Sequence, residues 1–113
     1  MDWFKVEAKI SSNEKVDGLS DRAFRSMIYL WAYAMDHENG GRVPANAHRL
    51  VPVVTRRALE ELEGSGFIRR NGTGWEIHDW EQHQEEALAF QDRRRREAER
   101  LREYRRAQRE GSS

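Results

Sequence analysis

The chain has 113 residues, 37% hydrophobic and 35% charged, which suits one small domain, and its lack of Cys excludes disulfides and thiolate zinc sites and fits a cytoplasmic setting. The longest apolar run, Met27 to Met35, is too short to span a bilayer, and Met1-Asp2-Trp3-Phe4 lacks the basic-then-apolar pattern of a signal peptide. Net charge is zero but unevenly spread: residues 1–80 carry 11 Lys/Arg and 12 Asp/Glu, whereas residues 91–109 carry nine Arg and four acids, a local +5 that reads as a basic arm.

Trp3 to Ile10 places Phe4, Val6, Ala8 and Ile10 on alternate positions, which predicts a half-buried strand. Ser11 to Gly18 is polar and reads as a loop. Ser20 can cap a helix running to about Glu38, with Phe24, Met27, Ile28, Trp31, Ala34 and Met35 as its apolar face and Asn39-Gly40-Gly41 as its stop. Arg42-Val43-Pro44 is short and extended. Ala45 to Val51 suits a two-turn helix with Ala47, Leu50 and Val51 inward, ended by Pro52. Thr55 can cap a third helix with Ala58, Leu59 and Leu62 buried and Gly64 and Gly66 terminating it. Phe67–Arg70 and Trp75–His78 flank Asn71-Gly72-Thr73-Gly74, a strong hairpin signal. Trp80 to Gln84 reads as a closing strand. From Glu85 to Glu110 there is neither Gly nor Pro, and Arg93/Glu97, Arg95/Glu99, Glu99/Arg102 and Glu103/Arg106 recur at helical spacing, so a solvated helix is expected, with a frayed end at 111–113.

The fold class is therefore α+β, mainly α. A winged helix-turn-helix with a two-stranded wing over residues 1–84 is followed by an extended charged C-terminal helix over 85–110.

Several stretches carry a family resemblance. They are Trp3-Phe4-Lys5-Val6, Leu19-Ser20 with Phe24, and Asn39-Gly40-Gly41-Arg42-Val43-Pro44. Arg57-Ala58-Leu59-Glu60-Glu61-Leu62 before Gly66-Phe67-Ile68, and Ile77-His78-Asp79-Trp80-Glu81-Gln82-His83-Gln84, complete the set. Over residues 2–84 the chain resembles the N-terminal domain of phage replisome-organiser and DnaD-like replication initiation proteins. The resemblance implies a phage or prophage winged helix that contacts DNA, in replication initiation or transcriptional control. Longer members carry a further helicase-engaging domain, for which this chain has only the charged helix.

Three groups of residues are candidate DNA contacts. Arg56 and Arg57 lie in the first turn of the third helix, where Arg can pair with guanine in the major groove, and Arg49 is counted with them; Glu60, Glu61 and Glu63 on the same helix favour the alternative of solvated arginines. Arg69, Arg70, Asn71 and Thr73 sit on the wing, against the alternative of a merely soluble hairpin tip. Arg93, Arg94, Arg95, Arg96 and Arg100, followed by Arg102, Arg105, Arg106 and Arg109, could follow phosphates. Phe90, Leu101 and Tyr104 make the same tail a possible dimer or partner helix, interrupted by Arg94 and Glu97. The expected partner is double-stranded DNA, then a second copy or a replisome or host protein, and no membrane. The aromatics read as core, and His78 and His83 as surface residues with no zinc spacing. No nucleophile motif or phosphate-cradling loop is present, so neither an enzyme, a metal nor a cofactor is expected. The alternative function is a protein-interaction adaptor that docks through the tail.

Overall fold

The structure is a computed structural model, and it describes residues 2–111. It is mainly helical, with a small three-stranded antiparallel sheet and a long C-terminal helix.

The expected strand at Trp3–Ile10 does not form. Residues 2–7 have no regular structure, and Ala8–Ser12 is a 3₁₀ turn. Val6 is 43% exposed, so only Phe4 and Ile10 of the alternating set reach the core. The backbone finds its partner in a side chain instead. Gln84, 1% exposed, accepts from the Lys5 amide through Oε1 at 2.6 Å and donates Nε2 to the Lys5 carbonyl at 2.9 Å. One amide side chain offers the donor and acceptor that a neighbouring strand would have supplied.

Within the stretch expected to be a loop, Asn13 caps a single turn, α1 (Glu14–Asp17), accepting from the amides of Lys15 and Val16. Ser20 caps α2 (Asp21–Asp36), its hydroxyl accepting from the Ala23 amide at 3.1 Å. The buried stripe of α2 is Ala23, Ser26, Met27, Leu30, Ala34 and Met35, so it is turned relative to the expected face: Phe24 is exposed, and Ile28 and Trp31 are half-buried. Apolarity alone selects Phe24, but the wall opposite includes the main chain at Val53, whose carbonyl accepts from Ser26 Oγ at 3.5 Å. Asn39 folds the exit, accepting from the Gly41 and Arg42 amides at 3.1 Å each. Gly41 (φ 83°) lies flat against the Trp80 indole, where a Cβ would stand 2.6 Å from Cγ.

β1 (Arg42–Pro44), β2 (Ile68–Asn71) and β3 (Gly74–Ile77) form a sheet in the order β1-β3-β2. Val43 pairs with Trp75, and Ile68 with Ile77. α3 (Ala47–Leu50) is one turn rather than two; Ala47 and Val51 are buried but Leu50 is 49% exposed, because the chain becomes extended at Val51 before a second turn can form. α4 (Arg56–Gly64) is capped by Thr55 and buries Ala58, Leu59 and Leu62 as expected. Asn71 pairs with Gly74, so the turn proper is Gly72-Thr73.

Trp80–Gln84 is not a strand. Asp79 adopts φ 52°, which breaks the extended chain, and Trp80–His83 coils into α5 with Trp80 4% exposed. α6 (Glu85–Gly111) starts where the composition changes, yet its first turns belong to the core. Ala87 and Gln91 are buried, and Gln91 Nε2 donates to the Met35 carbonyl at the end of α2 at 3.1 Å. Arg94 pairs with Asp2 at 3.5 Å and Arg95 with Glu38. From Arg93 onward every described residue is exposed, and this projecting rod gives the molecule extents of 64 × 30 × 23 Å. Gly111, expected to begin a frayed end, closes the helix; the rest of that end, Ser112 and Ser113, lies outside the described residues.

Candidate nucleic-acid interface

Capping by Thr55 fixes the first turn of α4 and leaves Arg56 and Arg57 exposed beside Arg49 at the end of α3. Among the described residues none of the three forms an ion pair. Arg56 Nε donates to His48 Nε2 at 3.3 Å. Burial, then the charges of Arg56 and Arg49, hold the His48 imidazole below its ordinary pKa of 6.5, so it stays a neutral acceptor at pH 7. Its proton then sits on Nδ1, which is buried and has no hydrogen-bond partner among the described residues.

The acids of α4 are mostly turned away. Glu61 accepts from the Ser20 amide at 2.7 Å and the Ser20 hydroxyl at 2.8 Å, bonds that hold its carboxyl below the usual carboxylate range, with a smaller contribution from Arg57. Glu63 accepts from Arg70 Nε at 2.8 Å and Trp75 Nε1 at 2.7 Å. Among the described residues Glu60 alone of the three is exposed with no bonded partner. The helix therefore presents two arginines and one glutamate, not two and three.

The hairpin residues are more occupied than the sequence suggested. Arg69 pairs with Glu76 at 2.7 Å, and Arg70 spans Glu63 and the face of Trp75, 5.4 Å from its centroid. Asn71 Oδ1 accepts from the Thr73 amide at 2.9 Å and its hydroxyl at 3.3 Å, and Asn71 Nδ2 donates to the Trp75 carbonyl at 3.2 Å. These two side chains stabilise the turn. Sequence reasoning missed Arg42, which the register sets across Glu76 from Arg69 in one row over the three strands. It also missed the role of His48. Neither signal is visible without register or packing.

On α6, Arg94, Arg95, Arg96 and Arg100 pair with Asp2, Glu38, Asp92 and Glu97 respectively, and Arg93 is exposed. Phe90 packs on Trp3, ring centroids 6.0 Å apart, and is half-buried. Leu101 and Tyr104 are 46% and 61% exposed. Beyond the domain Arg102, Arg105, Arg106 and Arg109 recur at i, i+3, i+4 and i+7 and line one shallow hollow together with Glu110, while Glu99 and Glu103 border that stripe. The histidines outside this surface are locally engaged: His78 with Asp79 at 3.0 Å and His83 with Glu7 at 3.4 Å. Among the described residues no group of side chains could hold a metal ion, and no helix is long and apolar enough to cross a membrane.

No protein-family model matches this chain, and neither a characterised protein nor a solved structure matches it. The site must be read from its own chemistry. Guanidinium groups in a capped first turn, a neutral imidazole fixing one of them, and a separate arginine stripe suit the binding of a polyanion.

Proposed function

We propose that this chain is a DNA-binding protein of the winged-helix kind, of the sort that acts in phage replication initiation or transcriptional control. The first turn of α4 enters the major groove, the β2–β3 hairpin is the wing, and the arginine stripe of α6 follows phosphates. The observation that carries this reading is the exposed pair Arg56 and Arg57 in the capped first turn of α4, in no ion pair among the described residues, on a helix whose Glu61 and Glu63 are bonded inward. The order helix, strand, short helix, helix, hairpin, with the first strand beside the last, supports it. Resemblance to the DnaD-like domain points the same way.

Fluorescence anisotropy with labelled duplex tests it. Micromolar or tighter binding is expected in low salt, and the double variant Arg56→Ala, Arg57→Ala should weaken it by roughly tenfold or more if each guanidinium meets base or phosphate. Absence of binding to any duplex or single strand at micromolar protein would sink the proposal. Exposure of Leu101 and Tyr104 on the projecting helix favours one second reading, an adaptor that docks on protein through α6. Capture of protein by α6 after nuclease treatment, with no DNA affinity, would select it.

A further inference from the structure

The chain contains only three lysines, Lys5, Lys9 and Lys15, against 17 arginines. All three line one cleft, of about 270 Å³, between the N-terminal segment, α1, α2 and the roots of the hairpin. Among the described residues none of their ammonium groups makes a hydrogen bond or an ion pair. The cleft floor is apolar and partly aromatic, from Met27, Trp31, Phe67 and Ile77. Trp31 and Phe67 are half-buried, so their rings are neither consumed by the core nor fully in water. Two acids also line the cleft, Glu7 beside His83 and Asp79 beside His78, and the three ammonium groups outnumber them. The Asn13 carboxamide oxygen is spent on capping α1.

We infer that this cleft binds a small aromatic acid, with the ring on the Trp31/Phe67 floor and the anionic group among Lys5, Lys9 and Lys15. An apolar floor with a few convergent polar groups is the usual build of a small-molecule site. The volume falls just below the roughly 300–1,000 Å³ of drug-sized sites, which suits about one or two fused rings. A flexible ammonium is a compact charge that serves a carboxylate without a fixed fork geometry, unlike the arginines elsewhere on this molecule. The ligand would touch Gly66 and Phe67 at the start of the hairpin and Ile77 and His78 at its end. This inference is independent of the DNA reading and stands or falls separately.

The test is an NMR titration of the full ¹⁵N-labelled chain with 2-naphthoate and with 2-naphthamide, its uncharged analogue. Naphthoate should give saturable shifts of the Trp31 indole N–H and the amides of Gly66, Phe67 and His78. It should bind about tenfold more tightly than naphthamide, as a charge-assisted contact implies. The double variant Lys9→Gln, Lys15→Gln should abolish that preference while its spectrum stays dispersed; Arg102→Gln, Arg105→Gln should leave it intact. Equal affinity for acid and amide, shifts centred elsewhere, or no saturation by low-millimolar naphthoate would each overturn the inference.

Discussion

Gly74 lies in the central strand at φ 154°, and a Cβ there would stand 2.2 Å from the Val43 carbonyl oxygen and 2.7 Å from the Ala45 amide. Both obstacles are backbone of the neighbouring strand and its exit, so they cannot swing aside. Gly74→Ala should destabilise the fold by on the order of 3 kcal/mol or more, read as a large fall in Tm, whereas Gly64→Ala, with open space around it, should change Tm little. Gln84→Ala removes both bonds to Lys5. A loss of about 1–2 kcal/mol is expected, with faster proteolysis ahead of Ala8 as the diagnostic readout. Residues such as Ser20, Thr55 and Asn39 were legible in the sequence because a cap acts within three residues of itself. Gln84 was not, because its partner is 79 residues away. Glu63 was misread for the same reason: its bonds run to Arg70 and Trp75 on the hairpin.

Helix α4 is tied to the start of α2 by Glu61, whose carboxylate serves the Ser20 amide and hydroxyl. Its pKa is lower in the folded chain than the ordinary 4.5, so the ionised form is the one folding favours. The stabilisation is complete above pH 4.5 and is lost as pH falls through the lower folded value. Tm measured against pH should therefore drop on the acid side, and Glu61→Gln should start from a lower Tm near neutrality and show a shallower acid drop. The hairpin makes a separate prediction. Glu63→Gln keeps an oxygen for Trp75 Nε1 but removes the charge that holds Arg70. If the hairpin meets phosphate, duplex affinity at low salt should rise roughly threefold to tenfold; an unchanged affinity would remove Arg70 from the proposed interface. The stripes on α2 and α4, and the hairpin, were legible because period and turn chemistry agree there. The N-terminal alternation and the Trp80–Gln84 stretch misled because neither edge of the sheet receives them, and a left-handed Asp79 turns the second away.

The molecule as a whole divides within α6 and not at its start. Ending the chain after Glu97 keeps Ala87, Gln91 and the contacts of Arg94 and Arg95, so Tm should stay near the full-length value. Ending it after Gln84 removes part of the core and should cost roughly 2–4 kcal/mol. The shorter deletion isolates the arm: if Arg102, Arg105 and Arg106 each neutralise a phosphate, the slope of log affinity against log salt should flatten by about 3. An identical slope would show that the arm does not touch the duplex. The gross plan, a domain followed by a basic helix, could be read from charge distribution, but the depth to which the helix enters the domain could not, since Ala87 fits equally the apolar spacing of a partner helix and Gln91 looks like any solvated position. The concentration of lysine in one cleft also governs how the molecule can be handled. Amine-directed chemistry has no side-chain target outside that cleft. Coupling through lysine would therefore turn the cleft toward a sensor surface and leave the arginine faces open to ligand in solution, so immobilised protein should report on DNA while being blind to small acids.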